Sequence, residues 1–312
     1  MSSFRMKTDV FSLILIATIL FVVVPSSHLV ESEKLQHKGI VLDSSITNPY
    51  LLWQKTLVNE TRKLQSRIVS GTPAFSGQLP WQVILKKDEY DDLLCGGSII
   101  NKCWVLTAGH CTHTLSSVYL IFGSILIDDV DAVHMIATEF HEHPNYDPDT
   151  LHNDVSLIRL PKILNFSSTI KPIPLVPSSF IGSSFIGRIG VVAGFGMTDD
   201  EYLDYSQILL WAQVEIIDNS ECMRVYGDNV VIDSVMCAKG RNNTNQGICS
   251  GDSGGPLLAL DSNNEIMQIG INSFIAEDMC TEGLPSGFVR LTSFLTFIAN
   301  TTGINNTKQK YD

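Results

Sequence analysis

The sequence has few basic residues and no apolar run long enough to cross a membrane. Its 312 residues contain 21 Lys and Arg against 33 Asp and Glu, a formal net charge of −12. So anionic a chain lacks the basic face that binds phosphates, which excludes nucleic acid as the main partner. The longest apolar stretch, residues 11–24, is shorter than the roughly 20 residues of a membrane-spanning helix, so we expect no membrane partner.

That apolar stretch instead has the organisation of a secretory signal peptide. Arg5 and Lys7 precede it, and the small residues Ser26 and Ser27 follow it. The alternative is a short membrane anchor. We interpret residues 1–26 as a signal peptide and expect a secreted, extracellular protein, in which disulfides form and Asn-x-Ser/Thr sites are glycosylated. Five such sites begin at Asn59, Asn165, Asn242, Asn300 and Asn305.

The composition and hydrophobic pattern of the chain change near residue 67. Residues 27–67 contain no cysteine and no clear periodicity, so they form either a propeptide, which we favour, or a disordered linker. From residue 68 onwards, short apolar runs alternate with turn residues, which indicates an all-β barrel or sandwich. Residues 293–300 predict a terminal helix, and residues 303–312 form a polar tail. The apolar runs are 81–85, 98–100, 104–107, 118–122, 155–160, 190–193, 208–217, 256–260, 266–273 and 287–291.

Three clusters hold residues suited to nucleophilic catalysis, centred on His110, Asp154 and Ser253. A serine hydroxyl needs an adjacent base to take its proton, and histidine suits that role because its pKa lies near neutrality. A buried carboxylate can hold the required histidine tautomer. Glycines around the serine permit the tight turn whose N–H groups stabilise an oxyanion. Each cluster alone also has a purely structural explanation, but the three together indicate an acyl-transfer site.

These clusters resemble those of the chymotrypsin-like (trypsin-fold) serine proteases. Within that family, the chain is most similar in character to the invertebrate chymotrypsin-like, elastase-like and brachyurin-like members. The resemblance implies two antiparallel six-stranded β-barrels with a short C-terminal helix, within a peptidase domain over residues 68–302 whose barrels meet near residues 175–185. The matching motifs are Arg67-Ile-Val-Ser-Gly71, Pro80-Trp81, Leu106-Thr-Ala-Gly-His-Cys111, Asn153-Asp154, Gly251-Asp-Ser-Gly-Gly-Pro256 and Ser273-Phe274.

The same resemblance assigns roles to single residues. It implies that His110 is the general base, Asp154 its orienting group and Ser253 the nucleophile, with the N–H groups of Gly251 and Ser253 as the oxyanion hole. The peptidase would be a zymogen. Cleavage after Arg67 by a trypsin-like protease would free the α-amino group of Ile68 to pair with Asp252. Polypeptides would be the substrates and protein protease inhibitors further partners, with the enzyme a monomer.

Seven cysteines is an odd number, so at least one cannot pair within the chain. Six cysteines allow 15 pairings, and the sequence alone does not choose among them. The resemblance implies Cys95–Cys111, Cys222–Cys237 and Cys249–Cys280. The residue left over, Cys103, is expected to be a buried free thiol, with an intermolecular bridge as the alternative.

The resemblance also identifies a substrate pocket that lacks the acid of trypsin-like members. Gly247 lies six residues before the nucleophile, where those members have an aspartate, so specificity for Lys or Arg is disfavoured. Ile275 replaces the glycine of open pockets and is expected to narrow the wall, which favours small or medium aliphatic residues, then aromatic ones. The predicted pocket residues are Gly247, Ile248, Ser273, Phe274, Ile275 and Ser286.

We expect no cofactor and no metal. Asp128, Asp129 and Asp131 lie near a loop that binds calcium in some relatives, but the glutamates of that site are missing, so a solvated acidic turn is favoured. Two functions stay open: an active secreted endopeptidase, and a catalytically weak homologue that acts as a binding or regulatory protein. The intact His110 and Ser253 favour the first.

Overall fold

The computed structural model describes residues 71–198, 200, 204–276 and 279–304. The expected signal peptide, propeptide and polar tail, apart from residues 303 and 304, lie outside these residues. The strands of the described part are β1 (Thr72–Pro73), β2 (Gln82–Lys86), β3 (Leu93–Asn101), β4 (Trp104–Thr107), β5 (Val118–Phe122), β6 (Val133–Ala137), β7 (Glu139–Glu142), β8 (Ser156–Arg159), β9 (Ile189–Gly194), β10 (Leu210–Ile217), β11 (Val235–Gly240), β12 (Pro256–Leu260), β13 (Ile266–Phe274) and β14 (Ser286–Arg290).

The described part of the chain also contains two α-helices, one between β10 and β11 and one after β14, and several short 3-10 helices. Helix α1 (Asn219–Tyr226) begins after Asp218, whose carboxylate accepts from Ser220 N, and helix α2 (Leu295–Thr302) ends at Gly303 in the left-handed conformation. No helix of the described ranges has the length and hydropathy to cross a membrane. The 3-10 helices are Gly109–Cys111, Ser178–Phe180, Arg241–Asn243, Cys280–Glu282 and Leu291–Ser293.

The strands form two antiparallel sheets, which we call the first barrel (β2–β8) and the second barrel (β9–β14). The second barrel is a closed ring in the order β9-β10-β11-β14-β13-β12, with β1 added beside β10. The first barrel has the order β6-β5-β2-β3-β4-β8-β7. The all-β, two-barrel prediction is therefore confirmed, with one difference: the first barrel has seven strands and is a half-barrel.

The open edge of the first barrel has a physical reason in its sequence. In the part of the chain that the structure describes, no pairing joins β6 to β7. Both strands are half exposed, with burial patterns that contain few buried side chains, whereas every residue of β2 and β4 is buried. Because β6 and β7 offer little apolar surface, burial supplies little free energy for closing the ring.

One continuous apolar core fills both barrels. Ser98 of the first barrel donates to Gln268 of the second at 2.7 Å, and both side chains are fully buried. A smaller apolar cluster lies under α1. Full burial of one such apolar side chain contributes about 1.5–3 kcal/mol, so the core holds the barrels together along their shared face. Its largest fully buried side chains are Phe122, Phe195, Phe288, Leu85, Ile99, Ile100, Leu106, Leu120, Leu157 and Ile158.

Three disulfides cross-link the fold. They join Cys95 to Cys111, Cys222 to Cys237 and Cys249 to Cys280, which is the pairing that the family resemblance implies. Cys103 is free, as expected, but it is only half buried. It lies in the tight turn between β3 and β4, where its N–H donates to Asn101 Oδ1 at 2.7 Å, and it packs against the edge of the main core.

Candidate active site

The first barrel brings His110 and Asp154 together. His110 lies three residues after Thr107 of β4, and Asp154 lies two residues before Ser156 of β8. Thr107 and Ser156 are opposite each other in the antiparallel pair, so both functional residues emerge at one end of the sheet. The backbone N–H of His110 donates to Asp154 Oδ1 at 2.8 Å, and the ring Nδ1 lies 2.8 Å from Asp154 Oδ2.

A serine of the second barrel completes this carboxylate's environment. The hydroxyl of Ser273 donates to Asp154 Oδ2 at 2.6 Å. The Asp154 side chain is fully buried, whereas 26% of the His110 side chain is exposed. A carboxylate on Nδ1 keeps the proton on that nitrogen, which leaves Nε2 as a proton acceptor. The arrangement can therefore take a proton from a neighbouring nucleophile.

Tyr146 packs against the same group, and sequence reasoning missed it. A Cβ placed on Gly109 would lie 3.0 Å from Tyr146 Cδ2 and 3.2 Å from Asp154 Oδ1, so the backbone, the ring and the carboxylate are in close contact. Burial, and then the charge of Asp154, raises the pKa of Tyr146, so its hydroxyl stays neutral. The family motif contains no tyrosine, and a tyrosine eight residues before an aspartate is no signal of proximity.

A tight loop places Ser253 next to the end of strand β4. Gly96 N donates to the Ser253 carbonyl at 2.7 Å, and Gly254 N donates to the Asn272 carbonyl at 2.8 Å. Gly254 has φ 78°, and a Cβ there would lie 2.2 Å from Thr107 Oγ1. Only glycine fits both the conformation and the space, and this close approach holds the half-buried Ser253 beside the segment that carries His110.

Ser253 and His110 are neighbours around one disulfide. A ring nitrogen of His110 lies within 4.8 Å of both sulfurs of Cys95–Cys111, and a Cβ on Gly254 would lie 3.1 Å from Cys111 Sγ. Among the residues that the structure describes, no hydrogen bond joins the Ser253 hydroxyl to the His110 ring. Catalytic hydrogen bonds are often long in unliganded enzymes and shorten in the substrate complex.

Metal binding at these cysteines is chemically disfavoured. The two groups of residues with metal-ligating spacing in the described ranges each include both sulfurs of a disulfide, which leaves no thiolate to coordinate an ion. They are Cys95 with His110 and Cys111, and Asp200 with Cys249 and Cys280. Asp128, in the acidic turn near the loop that binds calcium in some relatives, pairs with Lys86 Nζ at 2.5 Å.

Two backbone N–H donors, those of Gly251 and of Ser253 itself, lie in the loop that carries the serine. Gly251 has φ 95°, and a Cβ there would lie 2.8 Å from both Leu93 Cδ2 and Tyr205 Cε1, so the position requires glycine. Neither Gly251 N–H nor Ser253 N–H donates to an acceptor within the described part of the chain. Donors left open at a serine can bind a negatively charged oxygen.

Asp252, between these donors, is buried with no charged partner among the described residues. It is 1% exposed, and its carboxylate accepts from Gly196 N at 2.8 Å and Cys249 N at 3.0 Å. Burial raises its pKa to about 6, although the two N–H groups act in the opposite direction. Its expected partner, Ile68, and the predicted cleavage site at Arg67 lie outside the described residues.

The predicted pocket floor is assembled from two separate segments. A Cβ on Gly247 would have Ser286 Oγ as its nearest non-neighbouring atom, at 3.8 Å, so these residues adjoin a small open space without a charge between them. Ser286 and Ile248 are buried, with 7% and 4% of their surfaces exposed. Ser273, also predicted for the pocket, directs its hydroxyl to Asp154.

The wall next to this floor is held by aromatic rings. The Phe274 ring lies over Gly287, where a Cβ would be 2.1 Å from its Cζ, and it meets the Tyr226 ring edge to face with centroids 5.0 Å apart. The Tyr226 hydroxyl donates to the Pro285 carbonyl at 2.5 Å, and burial raises its pKa to about 12. Ile275 is half buried against the main core. Sequence reasoning missed Tyr226, which α1 supplies.

A second carboxylate fixes the far end of the wall. Asp200 accepts from Cys280 N at 2.9 Å and from Thr281 N at 3.0 Å, and the Thr281 hydroxyl also donates to it. Burial opposes the charged form of Asp200, but these donors outweigh it and lower its pKa. Asp200 thus anchors the Cys280 end of the Cys249–Cys280 disulfide.

Two β-barrels, a histidine held by a buried carboxylate and an adjacent serine on a glycine loop define a serine endopeptidase of the chymotrypsin type. The family model described as trypsin matches residues 68–298, and the chain belongs to the trypsin family.

Relatives of known name agree with this assignment. The chain is similar to the collagenase of Hypoderma lineatum, with 34% identity over 244 residues, 77% of this chain and 89% of that protein. It is similar to brachyurin of Leptuca pugilator, with 36% identity over 239 residues, 76% and 99% of the two chains. A solved structure of HL collagenase matches with a TM-score of 0.67 and 31% identity, covering 76% of this chain and 99% of the other. The predicted likeness to invertebrate members is confirmed.

Proposed function

We propose that this protein is a secreted serine endopeptidase, made as an inactive precursor, with His110, Asp154 and Ser253 as its catalytic groups. The observation that carries the proposal is the buried Asp154 carboxylate, which holds the His110 ring at 2.8 Å beside the Ser253 loop. A binding protein would have no need for this arrangement, because keeping a carboxylate buried is costly. The catalytically weak homologue is therefore the second candidate.

In the proposed reaction, Ser253 Oγ attacks the carbonyl carbon of the scissile peptide bond. His110 Nε2 takes the serine proton and then gives it to the leaving amine, while Asp154 stabilises the imidazolium. The Gly251 and Ser253 N–H groups bind the oxyanion. Water repeats the sequence on the acyl-enzyme and releases the second product. Removing one oxyanion donor in such a site costs about 10²–10³ in turnover, so the geometry of these N–H groups is central.

The precursor hypothesis rests on Arg67, Ile68 and Asp252. Cleavage after Arg67 by a trypsin-like protease gives Ile68 a free ammonium group. Asp252 is a suitable partner because its carboxylate is buried next to Ser253 and has only N–H donors around it in the described part of the chain. Losing one partner of a buried ion pair costs about 3–5 kcal/mol, which is enough to control the conformation of the Gly251–Ser253 loop.

The substrate preference follows from the uncharged pocket floor. A Lys or Arg side chain beside Gly247 and Ser286 would be desolvated without a counter-charge, which costs several kcal/mol. Apolar side chains gain roughly 1.5–3 kcal/mol on full burial. With Ile275 on the wall, we propose cleavage after small or medium aliphatic residues, then aromatic ones, with Ile248, Ser273 and Phe274 completing the pocket.

The remaining proposals concern partners and location. We propose polypeptide substrates, a trypsin-like activator and protein protease inhibitors as partners of a monomeric, extracellular enzyme without a cofactor. Glycans are proposed for the five sequons. Asn165, Asn242 and Asn300 are exposed, as a glycan requires, and the other two sequons, Asn59 and Asn305, lie outside the described residues.

The decisive experiment compares the activated protein with its Ser253→Ala variant. We expect the wild type to hydrolyse peptides and to be labelled by a serine-phosphonylating reagent, and the variant to do neither. Triad losses in this chemistry are on the order of a million-fold in turnover. Ser250→Ala, an exposed serine of the same loop, is the matched control and should keep full activity. An unlabelled and inactive wild type would favour the binding-protein candidate, whereas a Ser253→Ala variant above about one percent of wild-type turnover would refute Ser253 as the nucleophile.

A further inference from the structure

Asn272 is a buried amide placed directly behind the nucleophile loop. It lies on β13, is fully buried, and its Nδ2 donates to the Asp252 carbonyl at 2.8 Å. Its Oδ1 is also buried and has no hydrogen-bond partner within the described residues. Such an unpaired acceptor lowers stability, so an apolar side chain of the same shape would suit folding better. The amide therefore calls for a functional explanation.

The hydrogen bond acts on one particular peptide group. The Asp252 carbonyl belongs to the peptide that ends in the Ser253 N–H, and the described residues contain no cis peptide bond. In a planar trans peptide the C=O and N–H point in opposite directions. Gly255 N also donates to this carbonyl, at 3.1 Å. Holding the Asp252 carbonyl from β13 therefore fixes the direction of the Ser253 N–H on the other side.

The side chain is not needed to place the strand. The backbone of Asn272 already pairs with the loop in both directions: its N–H donates to the Gly255 carbonyl, and its carbonyl accepts from Gly254 N, each at 2.8 Å. These two bonds would survive any change of side chain. The contribution specific to the amide is thus its bond to the peptide between Asp252 and Ser253.

We propose that Asn272 is a positioning residue that orients the Ser253 N–H for binding the oxyanion. This inference rests on the proposed function, because it needs Ser253 to be the nucleophile. The residue touches neither substrate nor the reacting atoms, and it acts through the Asp252–Ser253 peptide. Its effect belongs to the transition state, where the oxyanion forms, and not to the binding of the substrate's side chains.

The test uses the protein activated by trypsin and its Asn272→Leu variant, which keeps a side chain of similar shape without donor or acceptor. We expect kcat to fall about tenfold while KM stays within twofold, a smaller loss than removal of the donor itself. The affinity for a peptide aldehyde, whose serine adduct places an oxygen among the oxyanion donors, should fall by the same factor. The affinity for the corresponding peptide acid should change less than twofold, and the melting temperature should not decrease.

Gln268→Leu is the matched control. Gln268 is another fully buried amide on β13; its Nε2 donates to the Gly270 carbonyl at 3.0 Å and its Oε1 accepts from Ser98. We expect this variant to be less stable with unchanged kcat per active site. Active-site titration with the phosphonylating reagent supplies that count. Asn272→Val removes the same donor with a smaller side chain and should give the same kinetic result if the leucine does not fold.

A kcat within twofold of wild type in the folded variants would overturn the proposal. So would equal losses of affinity for the aldehyde and the acid, because that would show a general distortion of the site. These outcomes are distinct from failure of the proposed function, in which the wild type itself would not react with the phosphonylating reagent.

Discussion

Asp252 gives the proposed precursor a predictable dependence of stability on pH. In the uncleaved chain no ammonium of Ile68 exists, and burial raises the pKa of Asp252 from its ordinary value of 3.8 to about 6. One pKa unit corresponds to 1.36 kcal/mol, so the difference amounts to about 3 kcal/mol. Because the folded pKa is the higher one, this stability is complete below pH about 4 and is lost as pH rises to about 6. Above that range the folded precursor holds a buried carboxylate that has no counter-charge among the described residues.

The assay is urea unfolding of the precursor between pH 4 and pH 7 with disulfides intact. Arg67→Gln prevents processing in all proteins compared. The neutral side chain of Asp252→Asn should remove the pH dependence of this site, so the free energy of unfolding of the variant, relative to the parent, should rise by about 3 kcal/mol across this range. Taking the difference in the free energy of unfolding between the two proteins cancels the contributions of the other titrating groups.

Asp218→Asn is the control without an effect in this pH range. Hydrogen bonds from the side chain and the backbone N–H of Ser220 lower the pKa of Asp218 from its ordinary value of 3.8, so its contribution is lost only at lower pH, and the difference between this variant and the parent should stay constant from pH 4 to pH 7. If the difference between Asp252→Asn and its parent stays constant within about 0.5 kcal/mol from pH 4 to pH 7, the reasoning about Asp252 is refuted.

Three further predictions concern activity. Trypsin should convert the nearly inactive precursor into an active species whose N-terminus is Ile68-Val-Ser-Gly; activity in a form that retains the Arg67–Ile68 bond would contradict the mechanism. Ser273→Ala should lower kcat about tenfold at unchanged KM, because Asp154 loses a hydrogen bond worth about 1.5 kcal/mol; an unchanged kcat would show that His110 alone fixes the carboxylate. Chromogenic peptides should be cleaved after aliphatic, then aromatic residues, and Ile275→Gly should shift preference to Phe and Tyr; efficient cleavage after Arg would overturn the pocket hypothesis.

Strands with continuous apolar runs could be predicted from the sequence. The runs at 104–107, 118–122 and 256–260 match β4, β5 and β12 residue for residue. These strands are buried on both faces or nearly so, and their continuous runs of apolar side chains indicate this burial. The terminal helix was also predicted, two residues early. Where burial decides the conformation, a local pattern is sufficient.

Elements with mixed surfaces were missed for the converse reason. Strands β6 and β7 are half exposed and contain polar and charged residues, so no apolar run marks them. Helix α1 has a buried face of one cysteine, and its signals are the capping residue Asp218 and the terminal Gly227. The contacts of Tyr146, Tyr226 and Asn272 with the site were missed as well, because they depend on strand pairing between distant segments.

The short strand β1 makes the proposed docking of the new amine an intramolecular step. Thr72 and Pro73 pair with Trp211 and Leu210 of the second barrel, and Ala74 N donates to Leu209 at 2.9 Å. Four residues, Ile68 to Gly71, separate the new amine from this anchor, a reach of about 14 Å. The amine is therefore a tethered ligand at an effective concentration of millimolar or more. Its docking is intramolecular, so the rate of activation after cleavage does not depend on dilution.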